Sequence, residues 1–280
     1  MDSITSSDGV KLTYTWSGPA SAPILLLVPG WSQTAAQWEK QIAHFDRSYN
    51  VISYDHRGHG ESEKPNHGYR VARLGVDLND LLVALDLKDV VIVGHSMGCA
   101  VIWAFWDLFP AARLRIKKLV LVDQPAVMTA NPGWTQEYAD SVSATLLPNT
   151  PYDVGNSIQS EAGKDFARAF IKSMFTSSLP ESELDWIMEQ NSKMKAEHAA
   201  TLLADLGNSN WRDVLPRINV PTLVIAPKAS VYKSEGIQWV ASRIPGAKYR
   251  TFSEEEKGSH FVFWENPDLF NQVVEDFVKE

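Results

Sequence analysis

Short apolar runs recur along the chain, and polar or amphipathic stretches separate them. The runs are rich in Val, Ile and Leu and show no polar alternation, which is typical of strands buried on both faces of a sheet. They span residues 23–28, 49–54, 90–93, 117–122 and 220–225, and the β-prone stretch 248–252 predicts a last strand. By contrast, Lys11–Ser17 alternates in polarity after an Asp-Gly turn, which predicts an antiparallel strand at the start of the sheet.

Stretches with helical spacing lie between these strands. In residues 71–87 the leucines at positions 74, 78, 81, 82 and 85 share one helical face. Helical spacing also marks residues 38–45, 237–244 and 267–278, and the apolar stretch 99–105 can form a buried helix. Strands that alternate with helices predict right-handed crossovers. We therefore expect an α/β fold with a mostly parallel, doubly wound sheet.

The strand pattern stops between Met128 and about Trp211. Four helical segments replace it, at residues 136–147, 161–175, 181–190 and 194–206. We interpret this part as an inserted helical cap over the carboxyl ends of the strands. The predicted organisation is a core of residues 1–127 and 212–280, with a cap of residues 128–211.

Composition narrows the class of protein. The chain has 280 residues, of which 44% are hydrophobic and 21% charged, as in a soluble globular domain with an insertion. The net charge of −8 and the lack of a basic stripe argue against a nucleic-acid partner. No apolar run is long enough to cross a membrane, and no signal peptide is visible. The single cysteine, Cys99, is typical of a reducing compartment, so we expect a cytoplasmic protein.

The run 90–93 leads directly into Gly94-His95-Ser96-Met97-Gly98 and then into an apolar stretch. A strand, a G-x-S-x-G turn and a helix together form the context of a nucleophile elbow. Such a turn holds the serine side chain out of the sheet beside the N-terminus of a helix, where negative charge is favoured. We therefore predict that Ser96 is a nucleophile.

A second loop that can contribute is Pro29-Gly30-Trp31-Ser32, which follows another predicted buried strand. A glycine-bearing loop there can aim a backbone N–H group at the serine. We expect the N–H groups of Trp31 and Met97 to form an oxyanion hole. The alternative is that Gly30 only makes a tight turn.

Residues 55–62, Asp-His-Arg-Gly-His-Gly-Glu-Ser, contain two histidines that suggest a metal site. His56 and His59 have no third ligand at a familiar spacing, however, so we predict no metal. We expect Asp55 and Arg57 instead to pair with each other and with the loop backbone.

These motifs, together with Gly258-Ser-His260-Phe261 near the end, occur in an order that resembles the α/β-hydrolase superfamily. The resemblance covers essentially the whole chain. It is strongest to the small esterase-like branch that includes non-haem chloroperoxidases, lactonases and aryl esterases. It implies the α/β-hydrolase fold and a triad in the order Ser, acid, His, with His260 as the general base towards Ser96.

The acid departs from the family's usual pattern. Most members carry it after the strand at 220–225, but the segment 226–233 holds no carboxylate, and Ser230 occupies that place. A minority carry the acid one strand earlier, where Asp123 lies. We therefore expect Asp123 to accept the Nδ1–H of His260. Glu235, the run 254–256, and a purely bracing role for Asp123 are the alternatives.

The prediction that follows is a cofactor-independent serine hydrolase of a small hydrophobic or aromatic ester or lactone. A haloalkane dehalogenase or an epoxide hydrolase would need a carboxylate at position 96. The oligomeric state is open. The expected substrate contacts are Gly30, His95, Trp134, Phe175, Trp186 and Phe261.

Two alternatives to this hydrolase stay open. Cofactor-independent dioxygenases of the same fold also carry their acid after the earlier strand, and they use the His–acid pair to deprotonate an aromatic hydroxyl group. They are similar in the Pro-Gly-Trp loop but differ in having histidines where this chain has Ser32-Gln33 and Met97. The second alternative is a ligand receptor on a hydrolase fold, because a fold alone does not determine function.

Overall fold

The computed structural model describes residues 1–280 and contains one eight-stranded sheet in the order β1-β2-β4-β3-β5-β6-β7-β8. Only β1 and β2 run antiparallel to their neighbours, and the other strands pair in parallel. The strands are β1 (Asp2–Thr5), β2 (Lys11–Ser17), β3 (Ile24–Val28), β4 (Asn50–Tyr54), β5 (Val90–His95), β6 (Ile116–Val122), β7 (Thr222–Pro227) and β8 (Lys248–Phe252). The predicted α/β class with a mostly parallel sheet is confirmed, and only the short β1 was not predicted.

Helices cover both faces of this sheet. They are α1 (Glu39–Phe45), α2 (Val71–Ala84), α3 (Met97–Leu108), α4 (Gln136–Ser141), α5 (Thr150–Gln159), α6 (Gly163–Lys172), α7 (Glu181–Asn191), α8 (Ala196–Asn208), α9 (Ser234–Arg243), α10 (Val262–Glu265) and α11 (Pro267–Lys279). One apolar core contains residues of α2, α3 and α9, and a second contains residues of α1, α10 and α11. None of these helices has the length and hydrophobicity that a membrane span requires.

The helical segment α4–α8 lies between β6 and β7. Helices α6, α7 and α8 match the predicted ones to within a few residues. Helix α4 ends at Ser141 instead of continuing to residue 147, because Ser143 adopts a φ of 59° and the chain then bridges to Thr129. Helices α6 and α7 contribute buried residues to one core and α8 to the other, so this part of the segment packs against the sheet.

Helix α5 was not predicted, and the way in which it packs explains the omission. It lies against α8 through small residues: a Cβ added to Gly155 would meet Ala200 at 3.1 Å, and one added to Gly207 would meet Pro151 at 2.5 Å. Close approach of two backbones needs small side chains rather than a stripe of large apolar ones. No run of large apolar residues therefore marks this contact in the sequence.

Arg57 corrects one expectation for the segment 55–62. Its guanidinium is fully buried and binds both carboxylate oxygens of Asp77 on α2, at 2.6 and 2.7 Å, and both of Asp8, at 2.9 and 2.8 Å. Asp55 is not its partner. A bidentate fork that meets two carboxylates is satisfied without a third.

Asp55 binds only backbone groups, as the other half of that expectation stated. Its Oδ1 accepts the N–H of Ala35 at 2.7 Å, and its Oδ2 accepts the N–H of Glu61 at 2.8 Å. The carboxylate fills the space above Gly60, where an added Cβ would lie 2.1 Å from Oδ2. Asp55 therefore ties the loop after β3 to the turn after β4.

The two histidines of this segment are also bound to the backbone. His56 Nε2 donates to the carbonyl of Pro29 at 3.0 Å. His59 Nδ1 donates to the carbonyl of Arg57 at 2.9 Å, and its Nε2 accepts the N–H of Ser32 at 3.2 Å. Burial lowers the pKa of His56 to about 3 and that of His59 to about 4. Both rings are therefore neutral near pH 7 and support the loop after β3.

These lowered pKa values predict a loss of stability in mild acid. Between pH 6.5 and about 4 the unfolded chain binds protons at these histidines and the native chain does not, so the free energy of unfolding falls as the pH falls. Each such histidine contributes up to about 1.4 kcal/mol per pH unit in this window. We expect urea unfolding at pH 7.5 and pH 5.0 to show the loss.

The variant His59→Gln separates this cause from others, because glutamine can still donate and accept. We expect it to weaken the pH dependence of the free energy of unfolding. An equal slope in the wild type and in His59→Gln would show that His59 is not responsible.

Candidate active site

Ser96 lies at the sharp turn between β5 and α3, with φ 52° and ψ −126°. L-residues rarely adopt this backbone conformation, so the surrounding structure must hold it. The Ser96 N–H donates to the carbonyl of Val122 on β6 at 2.8 Å, and the Ser96 carbonyl accepts the N–H of Cys99 at 2.8 Å. A Cβ added to Gly98 would lie 2.4 Å from the carbonyl oxygen of Val28. The turn thus needs its second glycine for close contact with β3.

The loop after β3 lies directly beside this turn. A Cβ added to Gly30 would lie 3.0 Å from Ser96 Cβ and 3.0 Å from Gln33 Oε1. The Gly30 N–H donates to Gln33 Oε1 at 2.6 Å, whereas the N–H of Trp31 has no hydrogen-bond partner. Met97 begins α3, so its N–H has no acceptor within the helix. The backbone N–H groups of Trp31 and Met97, in the two turns that meet at Ser96, thus have no partner within the protein.

His260 and Asp123 form a buried pair beside Ser96. His260 lies in the loop between β8 and α10, and Asp123 directly follows β6. His260 Nδ1 donates to Asp123 Oδ2 at 2.6 Å, and the two residues are 3% and 0% exposed. Asp123 has a φ of 52°, and its N–H donates to the carbonyl of Ile225 on β7 at 3.0 Å. The structure thus brings the predicted acid and the predicted base together.

The alternative carboxylates lie elsewhere. Glu256 pairs with Arg250 at 2.7 Å and accepts the N–H of Ser253 at 2.9 Å. Glu235 is exposed at the start of α9, where its carboxylate accepts a hydrogen bond from Ser234 alone. None of these carboxylates binds His260, whose only carboxylate partner is Asp123.

Burial acts on the pair in opposite directions. It raises the pKa of the Asp123 carboxyl well above its ordinary value, and a hydrogen bond from Ser230 lowers that pKa. Burial also lowers the pKa of His260, which favours a neutral imidazole. A neutral imidazole with Nδ1–H directed at a carboxylate has its Nε2 free to accept a proton. The pair can therefore act as a base.

His95, which we expected to contact substrate, lies behind this pair. It is the last residue of β5 and is fully buried. Its Nε2 donates to the carbonyl of His260 at 2.8 Å, and its ring centre lies 4.6 Å from that of His260. Its Nδ1 lies 3.1 Å from Gln33 Oε1. His95 therefore holds the backbone of the His260 loop and does not line the cavity.

A cavity of about 150 Å³ opens onto Ser96 and His260. Its walls are mostly apolar and come in large part from the helical segment; they include Met128, Val154, Phe170, Met174, Leu203 and Leu206. Of the predicted residues, the structure brings Trp31 and Phe261 to this cavity, with Gly30 just behind Ser96. Side chains of the carboxyl-end loops and side chains of the helical segment thus enclose one space.

Three aromatic residues expected to contact substrate do not line this cavity. Phe175 stacks on Phe261 with ring centres 4.2 Å apart, and Trp186 stacks on Trp264 at 5.1 Å. The guanidinium of Arg212 covers Trp134, 4.3 Å from its ring centre. Their stacking partners hold the helical segment to the rest of the molecule. The aromatic content of the sequence did not distinguish side chains that pack between elements from those that line the cavity.

Several polar residues of the cavity wall were not predicted, and two of them lie on loops of the sheet. Gln33 lies in the loop after β3, and Tyr232 lies in the loop after β7. The Tyr232 ring meets the His260 ring edge-on at 5.5 Å, and its hydroxyl has only the Met128 sulfur, at 3.9 Å, as a partner. Both residues lie on loops that follow parallel strands, and this position in the sequence could have identified them as candidate site residues.

The chain matches one protein-family model, described as the alpha/beta hydrolase fold, over residues 23–267. It is 31% identical to 3-oxoadipate enol-lactonase 2 of Acinetobacter baylyi, covering 99% of this chain and 96% of that protein. It is 30% identical to epoxide hydrolase 4 of Mus musculus, covering 97% and 77% of the two chains. The solved esterase EaEST of Exiguobacterium antarcticum superposes with a TM-score of 0.89 at 22% identity, covering 99% of each chain. That last likeness shows the fold alone.

The close contact at Gly30 yields a test of the site's geometry. In Gly30→Ala the added methyl group presses on Ser96 Cβ and Gln33 Oε1, both at 3.0 Å, so the serine shifts while the fold persists. We expect labelling of Ser96 by a fluorophosphonate to slow about tenfold or more, with little change in thermal unfolding.

The control is Gly133→Ala, because an added Cβ there meets only Asn131 Oδ1, at 3.3 Å. Its labelling rate should equal that of the wild type. An unchanged rate in Gly30→Ala would mean that this loop does not set the position of Ser96.

Proposed function

The chain belongs to the α/β-hydrolase family, and from that premise we propose that it is a serine hydrolase of a small carboxylic ester or lactone. One observation carries the proposal: His260, whose Nδ1 lies 2.6 Å from the buried Asp123 carboxylate, lines the same cavity as the strained Ser96. A nucleophile, a base and an acid on adjacent loops are what acyl transfer through an acyl-enzyme requires.

In the proposed reaction, Ser96 Oγ attacks the carbonyl carbon and His260 Nε2 accepts its proton. No hydrogen bond joins these two groups in the structure; it forms when substrate enters, as is common in such sites. The imidazolium then protonates the leaving alkoxide. Water enters by the same route, with His260 again as the base, and releases the acid.

Three groups stabilise the charges that develop in this reaction. Asp123 accepts the Nδ1–H of His260, keeps the imidazole in one tautomer and stabilises the imidazolium. The N–H groups of Trp31 and Met97 donate to the oxyanion of the tetrahedral intermediate. Because these donors are already unpaired and fixed by the backbone, they need no reorganisation when the charge appears.

The cavity restricts the substrate class. Its volume of about 150 Å³ is comparable to that of apolar cavities that accept benzene. An acyl group of about six carbons, or a single lactone or aromatic ring, therefore fits. The apolar walls favour a hydrophobic group over a charged one.

Position 96 decides between esters and epoxides. One relative is named an epoxide hydrolase. An epoxide hydrolase of this fold would need a carboxylate nucleophile at position 96. This chain has a serine there, and the carboxylate of Asp123 is directed at His260. We therefore propose ester or lactone cleavage.

The position of Asp123 on the earlier strand favours one second candidate, a cofactor-independent dioxygenase. In that reaction the His260–Asp123 pair deprotonates an aromatic hydroxyl group, and Ser96 is not a nucleophile. Oxygen uptake with a hydroxyquinolone discriminates between the two. Uptake that survives Ser96→Ala would support the dioxygenase.

A receptor on the same fold is distinguished by a different assay. It would be labelled by a fluorophosphonate but would barely turn over an ester.

The proposal predicts that three variants lose activity together. Ser96→Ala, His260→Ala and Asp123→Asn should each lower kcat for p-nitrophenyl esters and lactones about a thousandfold or more. The matched control is Glu235→Gln, which removes an exposed carboxylate and should leave kcat unchanged. Near-normal turnover in Asp123→Asn would show that the acid is another residue.

The cavity volume predicts a limit on acyl length. We expect kcat/KM for p-nitrophenyl esters to fall for acyl chains longer than about six carbons. Phe170→Ala removes a ring from the cavity wall and should raise kcat/KM for the longer esters. Leu147→Ala, at an exposed position, should not change it. An equal rate for acetate and palmitate esters in the wild type would count against this cavity as the acyl site.

A further inference from the structure

Ser230 is joined directly to the acid of the site. Its Oγ donates to Asp123 Oδ2, the same oxygen that accepts the His260 Nδ1–H at 2.6 Å. The N–H of Tyr232 donates to Ser230 Oγ at 3.2 Å. An ionised carboxylate can only accept hydrogen bonds, so the hydroxyl proton is directed at Asp123 while the hydroxyl oxygen accepts that N–H.

The loop that carries Ser230 is fixed to the loop that carries His260. The N–H of Ala229 donates to the carbonyl of Gly258 at 2.7 Å, and the N–H of Lys228 donates to the carbonyl of Phe252 at 2.9 Å. Ser230 therefore has a set position relative to the imidazole. It does not line the cavity, so it does not touch a substrate there.

Asp123 has few other groups to stabilise a negative charge. It is fully buried, its Oδ1 has no hydrogen-bond partner, and its only ion pair is with His260. The other titratable groups that face it, Tyr232, Tyr249 and Cys99, all have a pKa raised by burial and are neutral near pH 7. Two hydrogen bonds, from His260 and Ser230, are thus all that this carboxylate receives.

We propose that Ser230 is a positioning residue that completes the acid of the site. Its hydroxyl group holds Asp123 ionised and directed at His260, in a loop that carries no carboxylate of its own. Buried charges are stable only when they are paired and hydrogen-bonded, and a hydrogen bond to the charged form favours that form. This inference rests on the proposed role of His260 as a base.

The most direct test is an NMR titration of the His260 imidazole, which needs no substrate. Without the Ser230 hydroxyl, the negative charge on Asp123 is shared with His260 alone, so the pair binds a proton more tightly. We expect Ser230→Ala to raise the pKa of His260 by about one. Ser230→Thr keeps the hydroxyl group and should keep the wild-type pKa. Ser234→Ala, a nearby serine that does not contact Asp123, is the control.

Turnover of p-nitrophenyl acetate supplies the second readout. We expect Ser230→Ala to lower kcat about tenfold or more, to leave KM nearly unchanged, and to move the acid limb of the kcat/KM profile to higher pH. Ser230→Thr should recover most of the rate. A wild-type pKa of His260 and a wild-type acid limb in Ser230→Ala would overturn the inference.

The two readouts separate this inference from the proposed function. If the wild type hydrolyses no ester but Ser230→Ala still raises the pKa of His260, Ser230 does position the acid and the esterase proposal fails. If the enzyme hydrolyses esters and that pKa is unchanged, the esterase proposal stands and Ser230 only packs in its loop.

Discussion

Positive φ angles at the ends of two neighbouring parallel strands are the constraint on which this site depends. Ser96 follows β5 and Asp123 follows β6, and both have a φ of 52°. Such angles persist only where other contacts hold them. Here each strained residue donates its N–H to the next strand, Ser96 to Val122 and Asp123 to Ile225. The sheet therefore sustains the strain at the edge where Asp123 binds His260 and Ser96 lines the cavity.

The second condition of the site is that a buried charge must be compensated locally. Asp123 is fully buried, and its ionised form depends on hydrogen bonds rather than on a cation. A well-hydrated carboxylate would need no such support. The loops after β7 and β8 contribute Ser230 and His260 to the same carboxylate oxygen. Three loops are thus joined at one atom, which gives the imidazole one orientation.

Much of the fold and the core of the site could be predicted, and the reasons are physical. Strands buried on both faces need continuous apolar runs, and parallel strands bring their carboxyl ends to one edge. The pairing of Asp123 with His260 was predicted from the resemblance to the α/β-hydrolases, in which the acid and the histidine follow such strands. The roles of Phe175 and Trp186 could not be predicted, since an aromatic side chain is equally suited to packing and to lining. Helix α5 was not predicted, since small residues rather than large apolar ones make its contact with α8.

The most direct test of the account is the proton NMR spectrum of the His260 Nδ1–H group. A short, charge-assisted hydrogen bond to a buried carboxylate shifts this proton far downfield and protects it from exchange. The account predicts such a resonance in the wild type and in Ser96→Ala, and its loss or upfield shift in Asp123→Asn. An unchanged resonance in Asp123→Asn would contradict the account, because His260 would then have another partner.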